Sequence, residues 1–359
     1  MTYRINNKLK ALETYPVETE EFSIRLDANE SFINPGFELR DKLMEAWGTI
    51  PLNRYPDDSY SELKKAAGAY YGVDPELLVV GNGSDELLSI IVGSFMKSDD
   101  ILVLAEPDFS MYKVFASTFE RNTVSVNRTD DGTPDYSTFL KVAGEKKANA
   151  ILLSNPSAAC STLAPAEDLL EFIDNTDMLV IVDEAYMDFS DQSLMKAAVD
   201  RDNLIVLRTC SKAFGCAGIR LGFAASSEKL AGILNALRPP YNLNAFTAEA
   251  GRIVLSEPDY IRNSVDEIIK NRNTLYHLLK SREFEPAIGN IYPSATNFIC
   301  VETEFAEEIY RELKKRSILV RYINKMLRIT VGTKEENYAV VEAIGEIVRE
   351  ESVKRRDGK

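Results

Sequence analysis

The sequence predicts an α/β protein, with one large layered domain and a smaller α+β domain, from three observations. From about residue 77, short uninterrupted apolar runs alternate with longer segments of helical period. After RPPYNLN (238–244) that alternation gives way to one long amphipathic segment followed by a different strand set. At 359 residues the chain is long enough for two domains with a pocket between them.

The strand candidates are LLVVG (77–81), ILVLAEP (101–107), NTVSVN (122–127), AILLS (150–154), MLVIVDE (178–184), LIVLRT (204–209) and IRLGFAAS (219–226). Mostly apolar strands separated by helices predict a sheet buried on both faces, with parallel pairing. In the second region PDYIRNSVDEIIKNRNTLYHLLK (258–280) reads as a helix. NFICVE, ILVRYI and LRITVG read as strands, with helices after the first and third. The expected division is an N-terminal arm with part of the small domain over 1–35, a large domain over 36–245, and a C-terminal small domain over 246–359.

The 45% hydrophobic and 27% charged composition is that of a globular chain. A net charge of −14 disfavours nucleic acid or an anionic membrane as partner. No run approaches the roughly 18 apolar residues of a membrane span, and the start has no signal-peptide core, so a cytoplasmic protein is expected. Cys160, Cys210, Cys216 and Cys300 lack CxxC spacing, and His277 is the sole histidine, so no metal site is expected. His277 lies in the helical pattern RNTLYHLLK, where a structural role is expected, so another group must move protons.

Strand LLVVG runs through a glycine turn into a helix that opens with Ser84 and Asp85, the arrangement of a phosphate site. Capped glycine turns also start many purely structural helices. Asp183 ends an apolar strand at the edge where open α/β sheets bind ligands, and Tyr186 follows three residues later. Alone, such an acid reads equally as a helix cap. The next strand brings Thr209, Ser211 and Lys212 to the same edge, followed by Arg220. Two hydroxyls and an arginine around a lysine make an anion site with an amine nucleophile. An acid one strand away suits a pyridinium nitrogen, so pyridoxal 5'-phosphate is the predicted cofactor, held as a Schiff base on Lys212.

The residues SKAFGCAGIRLGF, with DEAYMDF, LDANES, RYPD, NGSDE and LRITVG, resemble the fold-type-I pyridoxal-phosphate aminotransferases, in their histidinol-phosphate aminotransferase branch. The resemblance spans about residues 26–333. It implies a homodimer and a mixed, mostly parallel sheet of seven strands. It also implies that Lys212 shuttles the proton of catalysis, Asp183 keeps the pyridine nitrogen protonated, and Tyr186 hydrogen-bonds the phenolic oxygen. The amides of Ser84 and Asp85, with Thr209, Ser211 and Arg220, would hold the phosphate, and Phe109 would stack on the ring. Tyr55 would reach the neighbouring subunit's phosphate. Arg328 and Arg321 would receive substrate anions, with Tyr15 a further phosphate contact. The competing, less favoured reading of Arg321 is a surface strand charge.

One motif departs from the pattern. The family's Asn-Asn-Pro-Thr-Gly loop, whose second asparagine donates to the phenolic oxygen, here reads SNPSAACST (154–162), with Ala158 at the donor position. Loss of one donor to a charged oxygen costs about 1.5–3 kcal/mol in that bond. The expected activity is transfer of an amino group between histidinol phosphate and the glutamate/2-oxoglutarate pair. The alternatives are an aromatic amino-acid aminotransferase, a phospho-amino-acid decarboxylase, or a cofactor-binding protein with weakened catalysis.

Overall fold

Successive residues of a strand point to opposite faces, so an unbroken apolar strand needs cover on both sides. In β5 (Ala150–Ser154), Ile151 and Leu153 enter one apolar cluster while Leu152 enters the other. β6 (Leu179–Asp183) repeats this with Val180 and Val182 against Ile181, and β7 (Leu204–Thr209) with Leu204 and Val206 against Ile205 and Leu207. A computed structural model describes residues 18–281, 288–323 and 325–357, so Tyr15 lies outside the described residues.

The large sheet has seven strands in the order β2-β8-β7-β6-β5-β3-β4, where β2 is Leu78–Asn82, β3 Ile101–Glu106, β4 Asn122–Asn127 and β8 Leu221–Ala225. All neighbouring pairs run parallel except those of β8, which is antiparallel to both β2 and β7. The eleven residues 210–220 between β7 and β8 hold a 3₁₀ turn and no helix that could make a parallel crossover. That turn also shortens the expected strand: Ala217–Ile219 forms a 3₁₀ turn and Arg220 sits at φ 53°, so β8 begins at Leu221. The chain passes from β3 outward to β4 and returns to the other side of β3 as β5, which opens a crevice at the carboxyl ends of β3 and β5.

The second sheet has the order β1-β11-β12-β10-β9, with β1 Ile24–Leu26, β9 Ile288–Ile291, β10 Phe298–Thr303, β11 Ile318–Ile323 and β12 Met326–Thr330. β1 is parallel to β11, so the start of the described chain is stitched into a sheet made otherwise from residues beyond 287. Both β1 and β9 are too short to carry a readable period, and sequence patterning misses them. Helices Ala306–Lys315 and Lys334–Asp357 follow β10 and β12, and the predicted long helix is Pro258–Leu279. Among the described residues no helix is long and apolar enough to cross a membrane.

Beneath the sheet edge, Arg208 on β7 is buried with two carboxylates. It bonds Glu184 at 3.1 Å and also pairs with Asp188, while Tyr70 Oη donates to Asp188 at 3.0 Å. Its guanidinium lies 5.0 Å from the Tyr71 ring centroid, so the cluster ties β6 and β7 to helix Ser61–Tyr71. Removing the cation leaves two buried carboxylates facing each other. Arg208→Ala is expected to lower stability by about 3–5 kcal/mol, measured as a fall in the urea midpoint; an unchanged midpoint would show that the cluster is not needed.

Candidate active site

The carboxyl ends of β3, β5, β6 and β7 converge on a cavity of about 340 Å³, and the side chains expected from the sequence meet there. Ser84, Asp85, Phe109, Asp183, Tyr186, Thr209, Ser211, Lys212 and Arg220 all line it, as does Ala158. A second cavity of about 750 Å³ adjoins it and shares Ala28, Glu30, Phe109, Ala158, Tyr186 and Lys212 as a common wall. Arg321 and Arg328 line this second cavity. Lys212 thus stands at the junction of the two.

Lys212 Nζ donates to the Ala28 carbonyl at 3.1 Å. Desolvation, reinforced by the Arg328 charge, pushes its pKa down to about 8, which leaves a useful fraction of neutral amine near neutrality. Asp183 is pushed the other way, to about 7, chiefly by burial, although it accepts a hydrogen bond from Tyr112 Oη at 2.9 Å and from the Ala185 amide at 3.1 Å. A carboxyl desolvated to this degree is suited to a cationic ring N–H.

The anion end is built on glycines. Helix Gly83–Ser94 has no side-chain cap, so its first-turn amides are left for a ligand. A Cβ on Gly222 would meet Ser84 N at 2.4 Å, and one on Gly83, at φ 76°, would meet Arg220 Nη2 at 2.7 Å. Their missing side chains let the helix terminus, β8 and the arginine close together. Thr209 Oγ1 donates to Ser211 Oγ at 2.9 Å, and Arg220 reaches Ser211 Oγ at 3.4 Å and Asp85 Oδ2 at 3.0 Å. A phosphate fits this cup, a pyridinium fits Asp183, and an aldehyde fits Lys212, so the residues present match pyridoxal phosphate.

The altered loop leaves its wall without a donor. Asn155 is locked to Ala164 by two hydrogen bonds, its Nδ2 to the carbonyl at 3.1 Å and its Oδ1 from the amide at 2.9 Å, so it does not take over the missing role. The Ala158 amide donates to Ser154 Oγ at 2.8 Å, which in turn donates to Asp108. Asp108 is buried in an ion pair with Arg128 at 2.6 Å. The loop nevertheless keeps a left-handed turn: Ser161 has φ 64° where the family motif carries glycine.

On the second sheet, Arg321 and Arg328 are direct cross-strand partners in the β11–β12 register. Like charges placed opposite each other are unfavourable, and an anion relieves the repulsion. Arg328 also donates to the Asp27 carbonyl at 2.9 Å and the Ala158 carbonyl at 3.4 Å. Tyr55 is not brought to this site: it is 80% exposed and stacks on Tyr241 at 4.6 Å. His277 is exposed on its helix, away from both cavities.

Sequence reasoning passed over Tyr112, Asn29 and Arg25. Tyr112 stands three residues after Phe109 in EPDFSMY, and that short interval was the available signal. Asn29 lies inside LDANES, and only tertiary contact shows that its Nδ2 donates to Tyr186 Oη at 2.7 Å. Arg25, which lines the second cavity, lies on the unreadable strand β1.

This fold and site define a class: the chain belongs to the aminotransferase class I and II family, whose pattern matches residues 38–344. Within that class it is similar to the histidinol-phosphate aminotransferase of Clostridium novyi (strain NT), 35% identical over 341 residues, which are 94% of this chain and 95% of the relative. The histidinol-phosphate aminotransferase of Clostridium kluyveri (strain ATCC 8527) is 32% identical over 347 residues, 95% of this chain and 97% of the relative. The fold matches the crystal structure of histidinol-phosphate aminotransferase from Sinorhizobium meliloti in complex with pyridoxal-5'-phosphate. That match has a TM-score of 0.89 at 23% identity and covers 98% of this chain and 99% of the other.

Burial of Asp183 makes a pH-dependent prediction. Its pKa in the folded chain is about 7, raised from 3.8, so the unfolded chain releases this proton first. The cost to stability is absent below about pH 4, grows as pH rises to about 7, and is constant above. In cofactor-free protein, the melting temperature of Asp183→Asn is expected to gain on wild type across that window and then hold its lead. A gap that does not change with pH would show a carboxylate charged throughout.

Proposed function

We propose that the protein transfers an amino group between histidinol phosphate and the glutamate/2-oxoglutarate pair, as a cytoplasmic enzyme using pyridoxal phosphate bound to Lys212. The observation that carries this reading is the position of Lys212 between a phosphate-shaped cup and a cavity lined by Arg321 and Arg328. Relatives of this name at 32–35% identity, matched over nearly their whole length, support the substrate.

When bound, the cofactor supplies an electron sink conjugated to the substrate's Cα. The chain supplies the rest. The amides of Ser84 and Asp85, with Thr209, Ser211 and Arg220, would hold the phosphate, Phe109 would cover the ring, and Asp183 would pair with the ring nitrogen. Tyr186 would donate to the phenolic oxygen. Lys212 would hold the cofactor's aldehyde through Nζ, and that amine, at the junction of the two cavities, would be the group placed to take up and return the substrate's proton. Arg328 and Arg321 fix the substrate's anionic groups, and either a phosphate or a second carboxylate suits such a pair.

The proposal includes a homodimer in which Tyr55 enters the neighbouring site. Tyr55 at 80% exposure and Phe37 and Leu52 at 77% each are the most exposed large apolar side chains among the described residues, the kind of side chain that a second copy would cover. A mixture of Lys212→Ala and Tyr55→Ala chains is expected to regain activity that neither shows alone, through hybrid dimers with one intact site. Failure to complement, with dimers formed, would reject the shared site.

The function is tested by adding glutamate, histidinol phosphate, phenylalanine or tyrosine to purified holoenzyme and following the cofactor absorbance. Glutamate and histidinol phosphate are expected to convert it to the amine form. Carbon dioxide release, or conversion by the aromatic amino acids alone, would favour the alternative reactions. Arg328→Ala is expected to raise KM for glutamate about 30-fold or more, the worth of a charged hydrogen-bond pair.

A further inference from the structure

Three consecutive residues of the segment after β1 touch three members of the site. The Asp27 carbonyl accepts from Arg328 at 2.9 Å, the Ala28 carbonyl accepts from Lys212 at 3.1 Å, and Asn29 Nδ2 donates to Tyr186 Oη at 2.7 Å. Asn29 is 1% exposed and holds φ 54°, a left-handed conformation that asparagine tolerates better than most residues. It is fastened by the second sheet: its amide N–H donates to Thr330 Oγ1 at 3.0 Å, Thr330 Oγ1 donates to its Oδ1 at 3.2 Å, and Asn297 Nδ2 donates to its carbonyl at 3.0 Å.

These contacts orient the amide. The Thr330 hydroxyl donates its one proton to Oδ1, which leaves Nδ2, a group that only donates, for Tyr186 Oη. A tyrosine oxygen that accepts from one side keeps its proton for another partner. We propose that Asn29 is a positioning residue that acts through Tyr186, turning the tyrosine's proton into the cavity toward the phenolic oxygen of the bound cofactor. The inference rests on the reading that Lys212 holds pyridoxal phosphate. It matters more in this chain than in one with the usual loop, because Ala158 and the inward-turned donors of residues 154–162 leave that oxygen to Tyr186.

The test is the pH titration of the absorbance of the Lys212-bound cofactor. A donor to the phenolic oxygen stabilises the charge exposed when the imine nitrogen loses its proton, so a weakened donor raises the titration midpoint. Asn29→Gly removes the amide while keeping the left-handed backbone accessible. Its midpoint is expected to rise by about half a pH unit or more, in the direction of Tyr186→Phe. In the Tyr186→Phe background, Asn29→Gly is expected to add nothing, since the residue acts through the tyrosine.

The charged groups facing Lys212 and Tyr186, namely Arg328, Arg220, Glu30, Asp85 and Asp183, are the same in every variant. Melting temperatures measured alongside register any purely structural loss, which by itself would not move the midpoint. A wild-type midpoint in Asn29→Gly, or an equal shift with and without the Tyr186 hydroxyl, would overturn the inference alone. A wild-type protein that forms no absorbing adduct on Lys212 would overturn it together with the cofactor reading.

Discussion

Desolvation of charge at one sheet edge is the constraint on which the rest of this structure depends. Lys212 and Asp183 are both displaced from their ordinary ionisation, in opposite directions, because desolvation at that edge penalises the charged form of each. A site in which burial works against an amine and an acid is one that a ligand of matching charge completes. On the second sheet Arg321 stands directly opposite Arg328, where like charge calls for an anion.

Rigid supports hold those groups in place. The Arg208 cluster binds the ends of β6 and β7 from below, and the Asp108–Arg128 pair fixes the start of the loop after β5. Above, the segment Asp27–Asn29 crosses from the second sheet to the pocket and touches Arg328, Lys212 and Tyr186 in turn. Arg328, the Lys212 amine and the Tyr186 phenol are therefore joined through three neighbouring residues of one strand exit. Glycines at 83 and 222 make the opposite end possible by letting backbone approach backbone around the anion cup.

The Ala158 loop shows how a motif can lose its chemistry and keep its shape. Its backbone still turns through a left-handed residue, although that residue is Ser161, and its polar groups satisfy one another instead of facing the cofactor. Under the proposed reading, a hydrogen-bonding duty shared by two side chains in the family pattern then falls on Tyr186.

The sequence by itself determined the strands of the large sheet: inner strands buried on both faces write that burial as a continuous apolar run, and the edge strand β4 keeps the alternation of a part-exposed strand. It also pointed to the residues that line the first cavity, Asp183, Tyr186 and Lys212 among them, because each lies within a few residues of a strand end that is itself legible. Tertiary structure alone decided the contacts made across the two sheets. β1 is three residues long, so nothing in its pattern announces that it pairs with β11, and without that pairing Asn29, Arg25 and Ala28 have no reason to meet the pocket. The facing of Arg321 and Arg328 likewise depends on a register between two strands. Local sequence records burial and turn chemistry, whereas which distant side chains share a hydrogen bond is settled only when the sheets pack.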